Sequence, residues 1–144
     1  MKKSLIFIFF LSVLFVPSKA LSPEDTTSAF NQVLASFRTG SSKELARYFD
    51  ASLSLNLNGQ NGYYSKAQAE IILKDFFYKF PPKDFTIQHQ GGNGSTSYYC
   101  VGTYLSGGNQ FRVLVKGNPK QENFKIFSME ILQIGSYSAY KPKI

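Results

Sequence analysis

The chain has 144 residues, 43% of them hydrophobic, and carries 16 basic against 9 acidic residues, a net charge of +7. Lys2, Lys3 and Lys19 fall in the first twenty residues; the other 13 cations leave a net of +4 and stand mostly singly, as at Arg38, Lys43, Arg47, Lys66 and Lys74. That scatter excludes the dense basic stripe of a nucleic-acid groove, and one cysteine, Cys100, excludes an intrachain disulfide framework.

The N-terminus reads as an export signal. A basic start (Met1-Lys2-Lys3) precedes an apolar run from Leu5 to Val16 with only Ser12 polar in it, and small Ser18 and Ala20 stand where a signal peptidase reads its site. The run is shorter than the ~20 residues of a bilayer-spanning helix, so no membrane span is expected after cleavage. Residues 1–20 are therefore expected to be a signal peptide, and residues 21–144 a single exported domain, periplasmic or extracellular, with a frayed tail from about residue 135. Its ten Phe and nine Tyr supply large side chains for a core.

Ser22-Pro23-Glu24-Asp25 opens a helix, with Ser22 as cap, Pro23 in the first turn and acids at the positive end of the dipole. Phe30, Val33, Leu34 and Phe37 recur at helical spacing on one stripe. After Gly40, Ser41 and Glu44 form a capping box for a short helix whose Leu45, Tyr48 and Phe49 face the core and which Asp50 closes. Leu53, Leu55 and Leu57 alternate with Ser54, Asn56 and Asn58 as a half-buried strand does; Gly59-Gln60-Asn61-Gly62 is turn chemistry, and Tyr63-Tyr64 pairs back. Ser65 and Gln68 make another capping box, ahead of an amphipathic helix with Ala69, Ile72, Leu73, Phe76, Phe77 and Phe80 on its apolar side, stopped by Pro81-Pro82.

From Phe85 onward the pattern predicts strands over Phe85 to Gln90, Ser97 to Leu105, Gln110 to Lys116 and Phe124 to Ile134. Glycine-rich loops separate them at Gly91 to Gly94, Gly107 to Asn109 and Gly117 to Pro119. The last strand does not alternate cleanly: Phe127, Met129 and Ile131 point one way, Phe124, Ile126, Leu132 and Ile134 the other. A bulge near Ser128 to Glu130 is expected to curl the sheet there.

Helix, helix, short hairpin, long helix and four-stranded meander, in that order over Ser22 to Ile134, resembles the NTF2-like (cystatin-like) superfamily. Ala46 to Asp50, Gly62 to Ala69 and Phe76-Phe77 are similar to an exported bacterial family, domain of unknown function 4783. The resemblance implies an α+β fold, a cone in which a strongly curved antiparallel sheet wraps a long helix. It implies no activity, because the superfamily hosts isomerases, dehydratases, cyclases and binding modules on one scaffold. Its enzymes place an acid, histidine or tyrosine inside the cone. The strand that carries the carboxylate base in ketosteroid isomerases reads Leu53-Ser54-Leu55-Asn56-Leu57 here, without an acid, and a dehydratase-type Asp and His pair has only one histidine to draw on.

Histidine is the residue type whose unperturbed pKa lies near neutral, and alternation puts the single one, His89, on the face of Phe85 and Ile87. Inside a cone it is the best general base available; the plainer reading is a hydrogen-bonded histidine near a strand end. Glu130, among Met129, Ile131 and Leu132, is either a desolvated acid or a carboxylate turned to solvent by the bulge. Tyr99 and its neighbours Tyr98 and Tyr104, with Tyr63 and Tyr64, offer phenolic donors, although aromatic residues on strands more often serve packing. His89, Glu130 and Tyr99 are thus the candidate pocket residues, with no catalytic residue assigned. One His, one Cys and dispersed acids match no zinc or calcium spacing, and no cofactor is implied. Cys100 between Tyr99 and Val101 reads as an inert buried thiol, and Asn93-Gly94-Ser95 matches a glycosylation acceptor, a short pattern that recurs by chance.

Two readings follow. The first is an exported, non-catalytic module that binds a small apolar ligand or a protein partner. The second is a small isomerase or hydro-lyase that uses His89 as base with Glu130 or a tyrosine as acid. Arg112, Leu114 and Lys116 alternate away from Phe111, Val113 and Val115, and the last strand is apolar on both sides, so a homodimer is expected to cover part of the outer sheet face.

Overall fold

The computed structural model describes residues 23–92, 97–120 and 123–136. The signal peptide, the Ser22 cap, the Asn93-Gly94-Ser95 acceptor and the tail beyond residue 136 lie outside the described residues. Two helices, α1 (Pro23–Thr39) and α2 (Ser42–Ala46), lead into the strands β1 (Phe49–Leu57) and β2 (Gln60–Ser65). Helix α3 (Lys66–Lys79) follows, then β3 (Asp84–Gly92), β4 (Tyr98–Ser106), β5 (Asn109–Lys120) and β6 (Asn123–Ser136). The six strands form one sheet in the order β2-β1-β6-β5-β4-β3. Neighbours run antiparallel except β1 and β6, which run parallel. A parallel pair needs a long crossover, which α3 and the meander supply. No helix among the described residues is long and apolar enough to cross a membrane.

Local chemistry explains the helix starts. Ser65 accepts a hydrogen bond from the Gln68 backbone N–H while the Gln68 side chain accepts from the Ser65 N–H, the reciprocal capping box expected there. At α2 only half the box forms. Ser41 Oγ accepts from Glu44 N–H, but the Ser41 N–H donates to Ser36 O, and the Glu44 carboxylate instead pairs with Arg47 at 2.9 Å. The chain then enters β1 at Phe49, four residues before Leu53, so Asp50 belongs to the strand rather than closing the helix.

The hairpin turn also differs from the expected one. It consists of Asn58 (φ 51°) and Gly59 (φ 88°), while Gln60 to Gly62 already pair in β2. Two consecutive positive φ values are what a two-residue type I′ turn requires, and Asn-Gly is its preferred pair. Asn58 also ties the turn to β6: its N–H donates to Ile131 O and its side-chain oxygen accepts from Gln133 N–H, both at 2.9 Å.

Bulges curve the sheet. On β6, Lys116 pairs with Ser128 but Gly117 with Ile126, which leaves Phe127 as an extra residue; a second shift leaves Ile134 extra. The first bulge lies one residue before the expected stretch and resolves the broken alternation, because Phe124, Ile126, Met129 and Ile131 all become buried on the same face. β6 continues through Ser136, opposite Asn109. The inner sheet face and the apolar sides of the three helices share one core that includes Phe30, Val33, Phe37, Leu45, Leu73, Phe76, Phe85, Tyr104 and Phe111.

Candidate functional site

The space between helices and sheet is occupied by rings. Phe37 stacks on Phe85 with centroids 4.8 Å apart, and Phe76 meets Phe111 edge-on at 5.1 Å and Tyr104 at 5.5 Å. Tyr104 is fully buried and its hydroxyl donates to Phe80 O at 2.5 Å, which fixes the end of α3 against β4; burial pushes that hydroxyl's pKa well above the ordinary tyrosine range. The buried polar residues among those described are Ser36, Ser42 and Ser106, so no described carboxylate or imidazole enters this interior.

The expected face of His89 is corrected by a bulge. Ile87 pairs with Gly102 and His89 with Val101, so Gln88 is an extra residue and alternation restarts after it. On β4, Cys100, Gly102, Tyr104 and Ser106 are buried, whereas Tyr99, Val101, Thr103 and Leu105 are half-buried on the other side. His89 therefore stands with Val101 on the outer face, exposed, and its Nε2 hydrogen-bonds the Tyr99 hydroxyl at 2.7 Å. Glu130, between buried Met129 and Ile131, also faces outward; it accepts from Asn56 Nδ2 at 3.2 Å and lies 3.4 Å from Arg112.

His89 and Glu130 occupy one cross-strand row, His89–Val101–Leu114–Glu130–Asn56. Three strand spacings separate them, about 14 Å. The structure thus brings Tyr99 to His89 and keeps Glu130 apart from both. No base-and-acid pair converges here, and none of the three candidates lines a described pocket.

A concavity lies elsewhere, between the end of α3 and the β1–β2 turn, with a volume of about 220 Å³. Leu57, Phe76 and Phe80 supply its apolar lining, and Asn58, Gln60, Asp75 and Lys79 its polar lining. Asp75 and Lys79 pair with each other at 2.9 Å, so this rim presents no net charge. In the sequence Leu57 reads as a half-buried strand position and Phe76 and Phe80 as the apolar side of a helix, so nothing in their pattern marks this concavity. The usable signal was Asn58-Gly59: recognised as the turn, it places the end of β1 beside the helix terminus. Among the described residues no cluster of three or more His, Cys, Asp or Glu side chains could hold a metal ion.

Cys100 is fully buried on the inner face of β4, and burial raises its thiol pKa to about 11 against a weaker opposing hydrogen bond with the Val115 backbone. The folded protein is expected to resist 5,5′-dithiobis(2-nitrobenzoate) at pH 8 and to react fully once unfolded in guanidinium. Because the folded pKa is the higher one, the contribution to stability is complete below the unfolded thiol's pKa of ~8.5 and declines as pH rises towards 11. Stoichiometric labelling of folded protein within mixing time would contradict this burial.

Over residues 30–131 the chain matches the family described as Domain of unknown function (DUF4783). A DUF4783 family protein from Bacteroides ovatus is 28% identical, with a TM-score of 0.69 over 73% of this chain and 94% of that one. Two more distant structures share the fold. An NTF-2 like protein of unknown function from Silicibacter pomeroyi has a TM-score of 0.55 at 14% identity over 76% of this chain and 93% of that one. A cystatin-like domain of unknown function from Nostoc punctiforme has a TM-score of 0.62 at 10% identity over 81% of each chain. No curated protein matches the chain. The match over residues 30–131, with its cap, hairpin and curved sheet in the order the family fold requires, establishes that the chain belongs to the DUF4783 family and has an NTF2-like, cystatin-like fold.

Proposed function

We propose that this protein is an exported, non-catalytic binding module that takes a small, uncharged, largely apolar ligand between the end of α3 and the β1–β2 turn. One contrast carries the reading: the interior where proton-transfer residues would act is packed with rings, while a half-open concavity of mixed lining, with Leu57, Phe76 and Phe80 beside Asn58, Gln60, Asp75 and Lys79, lies at the end of α3. The mutually paired Asp75 and Lys79 favour a neutral ligand, and the Asn58 and Gln60 amides can orient one polar group on it. The basic start, short apolar run and small residues before Leu21 support export.

A library of uncharged one- and two-ring compounds, screened by thermal shift, is expected to yield ligands that stabilise the wild type but not Leu57→Glu, which sets a charge on the apolar lining. Mass spectrometry should recover each ligand unchanged. Binding indifferent to Leu57→Glu would refute the site. A product that forms with wild type and not with His89→Ala would refute the non-catalytic reading.

A further inference from the structure

We propose, on the reading that a neutral ligand lies between the end of α3 and the β1–β2 turn, that Asn58 selects ligands whose polar group is a hydrogen-bond acceptor, such as the carbonyl of an ester or a tertiary amide.

An asparagine amide has one accepting and one donating end, and the end that faces a neighbour is settled when that neighbour can only donate. The Gln133 backbone N–H is such a neighbour. It donates across 2.9 Å, so the atom of Asn58 that faces it is the oxygen Oδ1. Oδ1 is thus engaged, whereas neither Nδ2 hydrogen of Asn58 has a partner among the described residues. Asn58 lines the concavity, and what its amide brings to a ligand there is a donor.

The turn holds that amide in place. Asn58 takes a φ of 51° and its own N–H donates to Ile131 O at 2.9 Å, while the Gly59 N–H donates to Asn56 Oδ1 at 2.9 Å. The opposite end of Asn56, Nδ2, donates to Glu130, which lies 3.4 Å from Arg112. Asn56 meets a backbone donor at one end and a carboxylate at the other, so its orientation is fixed as well. The Asn58 donor is therefore presented from a turn tied to β6 at Glu130, Ile131 and Gln133, and a group held in advance loses less freedom on binding than a mobile one.

The rest of the lining offers less to a ligand that donates. Phe76 O already accepts from the Phe80 N–H at 2.8 Å, Phe80 O accepts from the Tyr104 hydroxyl, and the Asp75 carboxylate is paired with Lys79. The exposed Gln60 side chain has no partner among the described residues, so its amide can turn either end to a ligand and does not discriminate.

Three small ring compounds test the selection: methyl benzoate, which only accepts, indole, which only donates, and ethylbenzene, which does neither. Each is titrated into ¹⁵N-labelled protein. Wild type is expected to bind methyl benzoate about 3- to 10-fold more tightly than ethylbenzene, the ratio that one net hydrogen bond supplies, and indole no more tightly than ethylbenzene. Asn58→Asp keeps an oxygen for the Gln133 N–H and a side chain that tolerates the left-handed turn, but it has no donor. It is expected to cancel the methyl benzoate preference while ethylbenzene affinity stays within about twofold. Asn58→Gly, which suits the turn and adds no charge, is expected to cancel the preference equally. A purely structural role for Asn58 would leave the ratio of the two affinities unchanged in Asn58→Asp. Methyl benzoate binding no more tightly than ethylbenzene or indole, or a preference that survives both substitutions, would overturn the proposal; where Leu57→Glu still abolishes probe binding, the pocket reading stands without it. Failure of methyl benzoate to bind while other neutral compounds bind wild type and not Leu57→Glu has the same meaning. A screen in which no neutral compound binds removes the pocket and its selectivity together.

Discussion

Replacement of Phe37 by alanine is expected to cost about 3–5 kcal/mol, the largest loss from any single truncation in this fold. Phe37 is fully buried on α1 and touches all three partners that close the interior: it stacks on Phe85 of β3 at 4.8 Å and meets Phe77 of α3 at 6.0 Å and Tyr104 of β4 at 6.5 Å. Removing the ring deletes apolar burial and leaves a void walled by other rings, which cannot collapse without moving two helices against the sheet. Against a total stability of ~5–15 kcal/mol for a domain of this kind, the variant would be marginal at 37 °C. Urea denaturation should show a lower midpoint with an unchanged slope. A loss under about 1 kcal/mol would mean that the interior is not organised around this ring.

The second large effect is expected at Gly117, where alanine should destabilise by about 1–3 kcal/mol. A Cβ there would lie 2.1 Å from Phe124 Cζ and 2.9 Å from Lys125 O. Phe124 cannot simply swing aside, because it is buried and packs against Phe30 with centroids 4.6 Å apart. Gly117 sits directly beside the Phe127 bulge, where β6 bends, so the absent side chain lets the Phe124 ring lie across β5 at the turn of the sheet. The mechanism has a second signature: Phe124→Leu, which shortens the offending ring, should cost less in the Gly117→Ala background than in wild type. Additive effects of the two changes would exclude the proposed clash.

Much of this architecture was legible in the sequence where one local rule governed the outcome. Ser65 with Gln68 located α3, the Phe30–Val33–Phe37 stripe located the buried side of α1, and Leu53 and Leu55 located the inner face of β1. The failures share a cause, namely residues whose fate is set by a neighbouring strand. Gly117-Asn118-Pro119 reads as a loop, yet it continues β5. There Asn118, Pro119 and Lys120 pair with Lys125, Phe124 and Asn123 of β6. The Gln88 bulge turns His89 outward, and nothing in the sequence from Phe85 to Gly92 marks where the count of two must restart. Glu130 followed its own neighbours faithfully, because buried Met129 and Ile131 oblige it to face outward.

The central claim is that the fold binds a ligand beside α3 without acting on it through His89. Backbone chemical-shift mapping of ¹⁵N-labelled protein, titrated with a neutral aromatic compound from the screen and followed in time, tests it most directly. The account predicts saturable shifts centred on Leu57, Asn58, Gln60, Phe76 and Phe80, with the ligand's own spectrum unchanged throughout. Shifts centred on His89, Tyr99 and Glu130, accompanied by conversion of the ligand or exchange of its protons with solvent, would contradict it.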